Sequence, residues 1–264
     1  MILALKKEFE KTFPVFYKFI QFIVHQVPSN VEFWDKKKYR VTRKIKTFFK
    51  PWKQIPGLIE EANSAFENYQ GGDFIDIGAF HGFYSFLLAP KANKFDNFIS
   101  CEPDFKAQKD LLENLSILNN VFKKIKFSLI NSPINTGKET FLMRADYGHP
   151  TFIEIDNNVN INKSSKKIKS TCVDDLVKTL SLNPKFIKID VEGAEFDVLQ
   201  GMTVTLEKYK PLIHLEKHPT LIPENISLEQ IDNLLKKKNY ILFKKIYSDD
   251  VGIKELWKFN NKNY

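Results

Sequence analysis

Residues 73 to 84, Asp-Phe-Ile-Asp-Ile-Gly-Ala-Phe-His-Gly-Phe-Tyr, constrain the fold more than any other stretch of this chain. A short apolar run ends in an acid, Asp76, and yields at once to Gly78 and Gly82, after which a helix can begin. A buried strand that turns over glycines into a helix N-terminus makes a cradle for a small ligand. Glycine suits the turn because a Cβ would block both the backbone and the ligand's approach. A plain strand-to-helix turn has the same pattern, so the neighbouring segments decide between the two.

Those segments alternate. Strand patterns at 74–77, 98–102, 125–130, 186–191 and 212–216 are separated by helical ones. The helix at 83–88 is stopped by Pro90, and the next is capped by Asp104 and carries Leu111, Leu112, Leu115 and Leu118. Further helices are predicted at 174–182 and 194–209, the second ended by Pro211. Ser227 and Gln230 form a capping box that opens another. Strands at 240–246 and 254–259 bring the main sheet to seven. Strand–helix alternation predicts an α/β fold with a parallel sheet covered on both faces. The rhythm breaks at about 133–170, where strand candidates at 140–144 and 151–155 precede a polar segment at 157–169. An inserted hairpin with a mobile tip is expected there, of the kind that shapes substrate pockets.

Residues 1–69 differ in flavour and are expected to form a helical, basic extension to the domain at 70–264. The stretch 6–27 fits one or two helices broken near Pro14, with Phe16, Phe19, Ile20 and Ile23 on one face. Lys36, Lys37, Lys38, Arg40, Arg43, Lys44, Lys46, Lys50 and Lys53 follow, a solvated face or else an anion-binding surface. An amphipathic helix at 58–69 then leads through Gly71 and Gly72 into the glycine-bearing strand. The apolar stretch 15–27 is interrupted by Lys18, Gln21 and His25 and is shorter than the roughly 20 residues of a membrane span. The first residues do not read as a signal peptide. Cys101 and Cys172 are far apart, which argues against a disulfide scaffold or a cysteine zinc site and suits a reducing compartment. Together these features point to a soluble, cytoplasmic protein. A net charge of +8 permits an anionic partner without selecting one.

Three clusters carry chemistry. Glu102 stands 20 residues past Gly82, the distance at which a nucleoside site places an acid to accept the ribose hydroxyls. Pro103 and Asp104 turn the chain away immediately after it. The second cluster is Asp-Val-Glu-Gly-Ala-Glu at 190–195, ending a strand whose carboxyl edge points into a ligand crevice. Asp190 is the candidate general base or metal ligand, with Glu192 on the same side by period two. Glu195 suits the helix N-terminus, and Lys188 shares a face with Asp190 as an internal ion pair. The third cluster is His214, Glu216 and His218, which alternation aims toward one edge. It suits acid–base assistance or substrate hydrogen bonding, and binds a metal only with further ligands. His81 and His149 are isolated.

The runs at 74–84, 101–104, 188–201 and 211–219 together resemble the FkbM family of class I S-adenosylmethionine-dependent methyltransferases. The resemblance covers about residues 70–220, and its most specific piece is Asp-Val-Glu-Gly-Ala-Glu. It departs at Phe80, where the family usually has Asn. It implies a Rossmann-like seven-stranded sheet with the last strand antiparallel, S-adenosyl-L-methionine as cofactor, and methyl transfer to a hydroxyl of a sugar, glycan or glycoconjugate. By this resemblance Asp76, Gly78 and Gly82 cradle the methionine part, lined also by Ala79, Phe80, Phe83, Tyr84 and Asp190. Glu102 and Pro103 meet the ribose, and Asn131 and Ser132 the adenine. Asp190, Glu192, Glu216 and His218 are its candidates for removing the hydroxyl proton, and His149, Glu192 and His218 for touching the acceptor. A natural-product acceptor, a nucleic-acid methyltransferase and a non-catalytic scaffold are the alternatives. Nucleic acid is disfavoured because the chain lacks an Asn-Pro-Pro-Tyr motif and a Pro-Cys nucleophile.

Overall fold

The structure, a computed structural model, describes residues 28–42, 57–138, 140–144, 151–154 and 165–261. The helices expected over 6–27, the basic residues from Arg43 to Lys53, and His149 lie outside the described residues. Contacts divide the chain into two units, Met1–Pro56 and Gly57–Tyr264. In the first, β1 (Pro28–Glu32) and β2 (Lys38–Thr42) form an antiparallel hairpin, with Asn30 opposite Arg40. Asp35 builds the turn, accepting from the Lys37 amide at 3.0 Å and the Tyr39 hydroxyl at 2.8 Å. Strands here were not anticipated from the charge pattern.

The second unit contains α1 (Leu58–Asn68), β3 (Asp73–Ile77), α2 (Phe83–Leu88), β4 (Asn97–Cys101), α3 (Phe105–Val121) and β5 (Lys126–Ile130). The insertion follows with β6 (Thr140–Arg144), β7 (Thr151–Glu154) and β8 (Ser165–Lys169). After it come α4 (Val173–Thr179), β9 (Pro184–Ile189), α5 (Glu195–Gln200), α6 (Thr203–Tyr209) and β10 (Leu212–Lys217). The unit closes with α7 (Leu228–Lys237), β11 (Tyr240–Ser248) and β12 (Ile253–Phe259). Its main sheet has seven strands in the order β11-β12-β10-β9-β3-β4-β5. β12 runs antiparallel to both neighbours, and the pairs from β10 to β5 are all parallel. This is the sheet expected from the sequence, including its antiparallel last strand.

Side-chain alternation splits the sheet into two different faces. One face carries Ile75, Ile77, Ile99, Ile187, Ile189, Ile213 and Leu215, buried with Val198, Leu199, Met202, Leu206, Ile231 and Leu235 in one core cluster. On the other, register aligns Phe98, Phe74 and Phe186 in one row. Their rings stand 5.3–5.9 Å apart, and Tyr69 meets all three edge-on or tilted. The next row toward the carboxyl ends is polar: Ser100, Asp76, Lys188 and His214 on four adjacent strands. Part of the chain's unusual phenylalanine content therefore builds the floor beneath a buried polar row.

Two expectations are corrected. The helix expected at 194–209 is two helices broken at Gly201, where a Cβ would lie 2.0 Å from the Asn135 carbonyl oxygen. Close approach of the 133–135 segment demands glycine, and the chain restarts as α6. Met202 cannot cap that helix, so Asp174 does so from α4, accepting from the Val204 and Thr205 amides at 3.0 and 2.7 Å. In the insertion, the polar segment ends in a third strand, β8, which pairs antiparallel with β6 on the side opposite β7. The caps at Asp104 and Ser227 form as expected.

Candidate active site

Chain order reverses across the sheet at β3. The chain runs outward through β4 and β5, then resumes on the other side with β9 and β10. The crevice at the carboxyl ends of β3 and β9 is the switch point at which such sheets bind ligands. Four adjacent strand ends deliver their acids there: Glu102 after β4, Asp76 in β3, Asp190 after β9 and Glu216 in β10.

On the β3–β4 side, the turn is locked to its neighbours. The Gly78 and Ala79 amides both donate to the Cys101 carbonyl at 3.0 Å, and the Phe80 amide donates to Glu102 Oε2 at 2.7 Å. Glu102 Oε1 accepts from the Asp104 amide at 2.8 Å. Each oxygen keeps a further lone pair for a ligand hydroxyl. Burial pushes the Glu102 carboxyl up to about 7 despite these amides. Asp76 is 1% exposed, and its Oδ2 has no hydrogen-bond partner among the described residues. Burial, opposed by Lys188 and reinforced by Asp190 and Glu102, raises it to about 7 as well. Gly78 has φ 82°, and a Cβ there would lie 1.7 Å from the Asp190 carbonyl oxygen. The glycine is thus dictated from within the protein, by the end of β9 crossing the turn. Phe80, at φ 47°, is half exposed and stacks on His81 at 3.7 Å. Phe83 and Tyr84 are buried in α2, while Asn131 is exposed and Ser132 half-buried beyond β5.

The β9–β10 side is an ion network. Lys188, 1% exposed, donates to Asp190 Oδ2 at 3.0 Å and lies 3.4 Å from Glu61 Oε1 and 3.6 Å from Glu216 Oε2. Lys254, from β12, stands 2.8 Å from Glu61 Oε2 and 2.6 Å from Glu216 Oε2. The Lys188 ammonium also sits 4.9 Å from the centre of the Tyr84 ring. Burial disfavours a charge on Asp190 and on Glu61, yet Lys188 overrides it at both and holds each carboxyl below its ordinary range. The expected Lys188–Asp190 ion pair is present, as the centre of a larger cluster.

The histidines separate. His214 is fully buried in the polar row, 3.6 Å from Glu61 Oε1, and burial drives its pKa down to about 3. It does not reach the edge at which alternation had aimed it, because β10 continues for three more residues before it ends. His218 does reach that edge. Its Nδ1 lies 2.8 Å from Glu195 Oε1, and its Nε2 lies 3.6 Å from Asp190 Oδ1 and 3.7 Å from Glu216 Oε1. Burial lowers its pKa, but the Glu195 hydrogen bond and the Asp190 charge outweigh that, and the net shift is upward. Glu195 is wholly buried and also accepts from the Gly193 amide at 3.0 Å. It therefore orients His218 as well as opening α5. Glu192 is exposed, at φ 51°.

Sequence reading missed Glu61 and Lys254. A signal for Glu61 existed: it falls on the buried stripe of α1 with Leu58, Ala62 and Ala65, where an acid needs a partner. Lys254 carried no comparable mark, since both faces of β12 are buried at its start.

Over residues 76–242 the chain matches the family described as Methyltransferase FkbM domain. It is similar to the hexuronic acid methyltransferase AglP of Haloferax volcanii, with 27% identity over 153 residues, 58% of each protein. The match thus spans less than two thirds of that relative's length. Among solved structures it is similar to the methyltransferase FkbM from Methylobacillus flagellatus KT, with TM-score 0.48 and 16% identity over 71% of this chain and 44% of that one. TrmK of M. capricolum, in complex with S-adenosyl-homocysteine, aligns with TM-score 0.44 and 15% identity over 76% of this chain and 68% of that one. With a family match over more than half of its residues, this chain belongs to the FkbM methyltransferase domain family.

Proposed function

We propose that the protein is an S-adenosyl-L-methionine-dependent O-methyltransferase whose acceptor is a hydroxyl of a sugar, glycan or glycoconjugate. The observation that carries this reading is the division of the crevice into two unlike halves in a chain of this family. Asp76 and Glu102 face a turn closed onto β4, while Asp190, Glu216 and His218 converge across the switch point. The first half suits the cofactor: Glu102 keeps lone pairs for both ribose hydroxyls, and Asp76 offers a carboxylate near the sulfonium-bearing part. The second half suits an acceptor hydroxyl. Its oxygen forms a bond to the methyl carbon, the carbon–sulfur bond breaks, and the hydroxyl proton passes to the Asp190–Glu216–His218 trio. Because the sulfonium already makes the methyl electrophilic, alignment and proton removal are what the protein must supply. Similarity to a hexuronic acid methyltransferase supports a sugar acceptor.

The test is a labelled methyl-transfer assay over a panel of glycans, including hexuronic acids, alongside calorimetry with S-adenosyl-homocysteine. Wild-type protein is expected to bind the nucleoside and label a sugar hydroxyl. Asp190→Asn is expected to lower transfer at least 100-fold, in the range of lost acid–base catalysis, with nucleoside affinity within a few-fold of wild type. Labelling of RNA in preference to every glycan, or a fully active Asp190→Asn, overturns the reading.

A further inference from the structure

We propose that Asp190, Glu216 and His218 hold a divalent metal ion at the carboxyl edge of the sheet. One donor atom from each lies within 4.8 Å of the other two. His218 Nε2 is 3.6 Å from Asp190 Oδ1 and 3.7 Å from Glu216 Oε1, beyond hydrogen-bond reach. Donors bound at about 2.0–2.2 Å to one ion stand roughly 3–3.8 Å apart, and both distances from His218 Nε2 to the carboxylate oxygens fall in that range.

Three features of the surroundings favour an ion. The lysines take the far oxygens: Lys188 donates to Asp190 Oδ2, and Lys254 pairs with Glu216 Oε2. Oδ1 and Oε1 are left turned toward His218. His218 is 8% exposed, and Glu195, itself wholly buried, fixes its other nitrogen. A carboxylate holding the second nitrogen of a ligating histidine is the usual outer support of such sites. Charge is also left over. Glu61, Asp190, Glu195 and Glu216 supply four carboxylates against the ammonium groups of Lys188 and Lys254 and the His218 imidazole, whose proton these acids favour; a divalent ion that displaced this proton would balance the cluster. The ligand set differs from the His214–Glu216–His218 spacing seen in the sequence, because His214 is spent deeper in the sheet and Asp190, from the neighbouring strand, takes its place.

Mixed imidazole and carboxylate donors suit a first-row divalent ion such as Mn2+. With three protein ligands the ion retains open positions. Vicinal sugar hydroxyls, or a hydroxyl beside a carboxylate, can chelate it there. A coordinated hydroxyl is acidified. With the ion bound, the trio would promote proton loss through the ion, the proton leaving to water, instead of by accepting it directly as in the metal-free case. The hydroxyl oxygen takes the methyl group, and the carbon–sulfur bond breaks as before. That use rests on the methyl-transfer reading, whereas ion binding does not.

The experiment is calorimetric titration of chelator-stripped protein with Mn2+ in the absence of cofactor, with loss of the free-Mn2+ paramagnetic signal as a second readout. One saturable site is expected. Asp190→Asn, Glu216→Gln and His218→Ala should each weaken it at least tenfold, and Glu195→Gln about 10–100-fold. The two amide variants are near-isosteric, so they keep the test decisive if His218→Ala fails to fold, as judged by thermal melting. Absence of saturable binding, or binding that survives all four substitutions undiminished, overturns the site. Methyl transfer at full rate in chelator, without Mn2+ binding, also overturns it while leaving methyl transfer standing. Saturable Mn2+ binding that the variants abolish supports the site even if no acceptor is labelled, an outcome that would sink the functional reading instead.

Discussion

Asp76→Asn should stabilise the protein in a pH-dependent way. The carboxyl is 1% exposed, one oxygen has no hydrogen-bond partner among the described residues, and burial lifts its pKa from 3.8 to about 7. Between those values the folded protein holds a proton that the unfolded chain has released, so stability falls as pH rises through the window. Linkage puts the cost of ionising Asp76 at about 4 kcal/mol at pH 8, about 2 kcal/mol at pH 5, and close to zero below the unfolded pKa. Asn cannot ionise and escapes the cost, although its amide can add a constant penalty for unmet hydrogen bonds. The difference between the two pH values cancels that constant. Urea denaturation of both proteins at pH 5 and pH 8, in the absence of cofactor, should give a variant advantage about 2–3 kcal/mol larger at pH 8. An advantage that does not change with pH, or that shrinks toward pH 8, refutes the view that a strained carboxylate is held at this position. A carboxylate retained against such a cost is what a binding site, rather than a core, selects.

Lys188→Met should destabilise the fold by about 1–3 kcal/mol in urea denaturation, because it removes one of the two cations paired with the buried Glu61 and the cation bonded to the half-buried Asp190. Adding Glu61→Gln to it should cost less than the two single changes summed, since both sit in one network. Phe80→Asn should raise stability by about 1 kcal/mol, because Asn tolerates φ near 47° where Phe does not; an unchanged or lower midpoint would mean that the stack on His81 outweighs the backbone strain. Affinity for S-adenosyl-homocysteine should weaken as pH falls through about 7, where Glu102 gains a proton and loses an acceptor site, and Glu102→Gln should flatten that dependence in calorimetry at pH 6 and pH 8.

The centre of the sheet was legible because β3, β4 and β9 are buried on both faces and bounded by glycine, proline and caps, signals that are local in sequence. Phe-Ile-Asp at 74–76, Phe-Ile-Ser at 98–100 and Phe-Ile-Lys at 186–188 repeat one pattern, apolar on both faces and then polar on one. What the pattern lacks is register. Only pairing Asp76 with both Ser100 and Lys188 turns three separate motifs into one polar row, and register is set by twist, turns and packing that no single segment carries. The same limit explains the histidines. Alternation correctly put His214, Glu216 and His218 on one side, but not at one depth, and depth separates a neutral core histidine from one that meets Asp190 and Glu216. The break at Gly201 was invisible for a related reason, since the carbonyl that excludes a Cβ there comes from Asn135, far away in the chain.

The ion network extends beyond the family match on both sides. The family match runs from residue 76 to residue 242, yet Glu61 precedes it and Lys254 follows it. Both are buried, and both touch groups inside the match: Glu61 meets Lys188 and His214, and Lys254 meets Glu216. Glu61 and Lys254 also meet each other at 2.8 Å, closing the circuit over the polar row from the two flanks. Without α1, Lys188 would keep Asp190 and Glu216 but lose the acid that buries it; without β12, Glu216 would lose its shortest cation contact. The charge state of the Asp190–Glu216–His218 edge is therefore set partly by helix and strand residues that lie outside the family match. Substitutions at Glu61 or Lys254, both outside that match, are expected to shift the ionisation of Asp190 and Glu216.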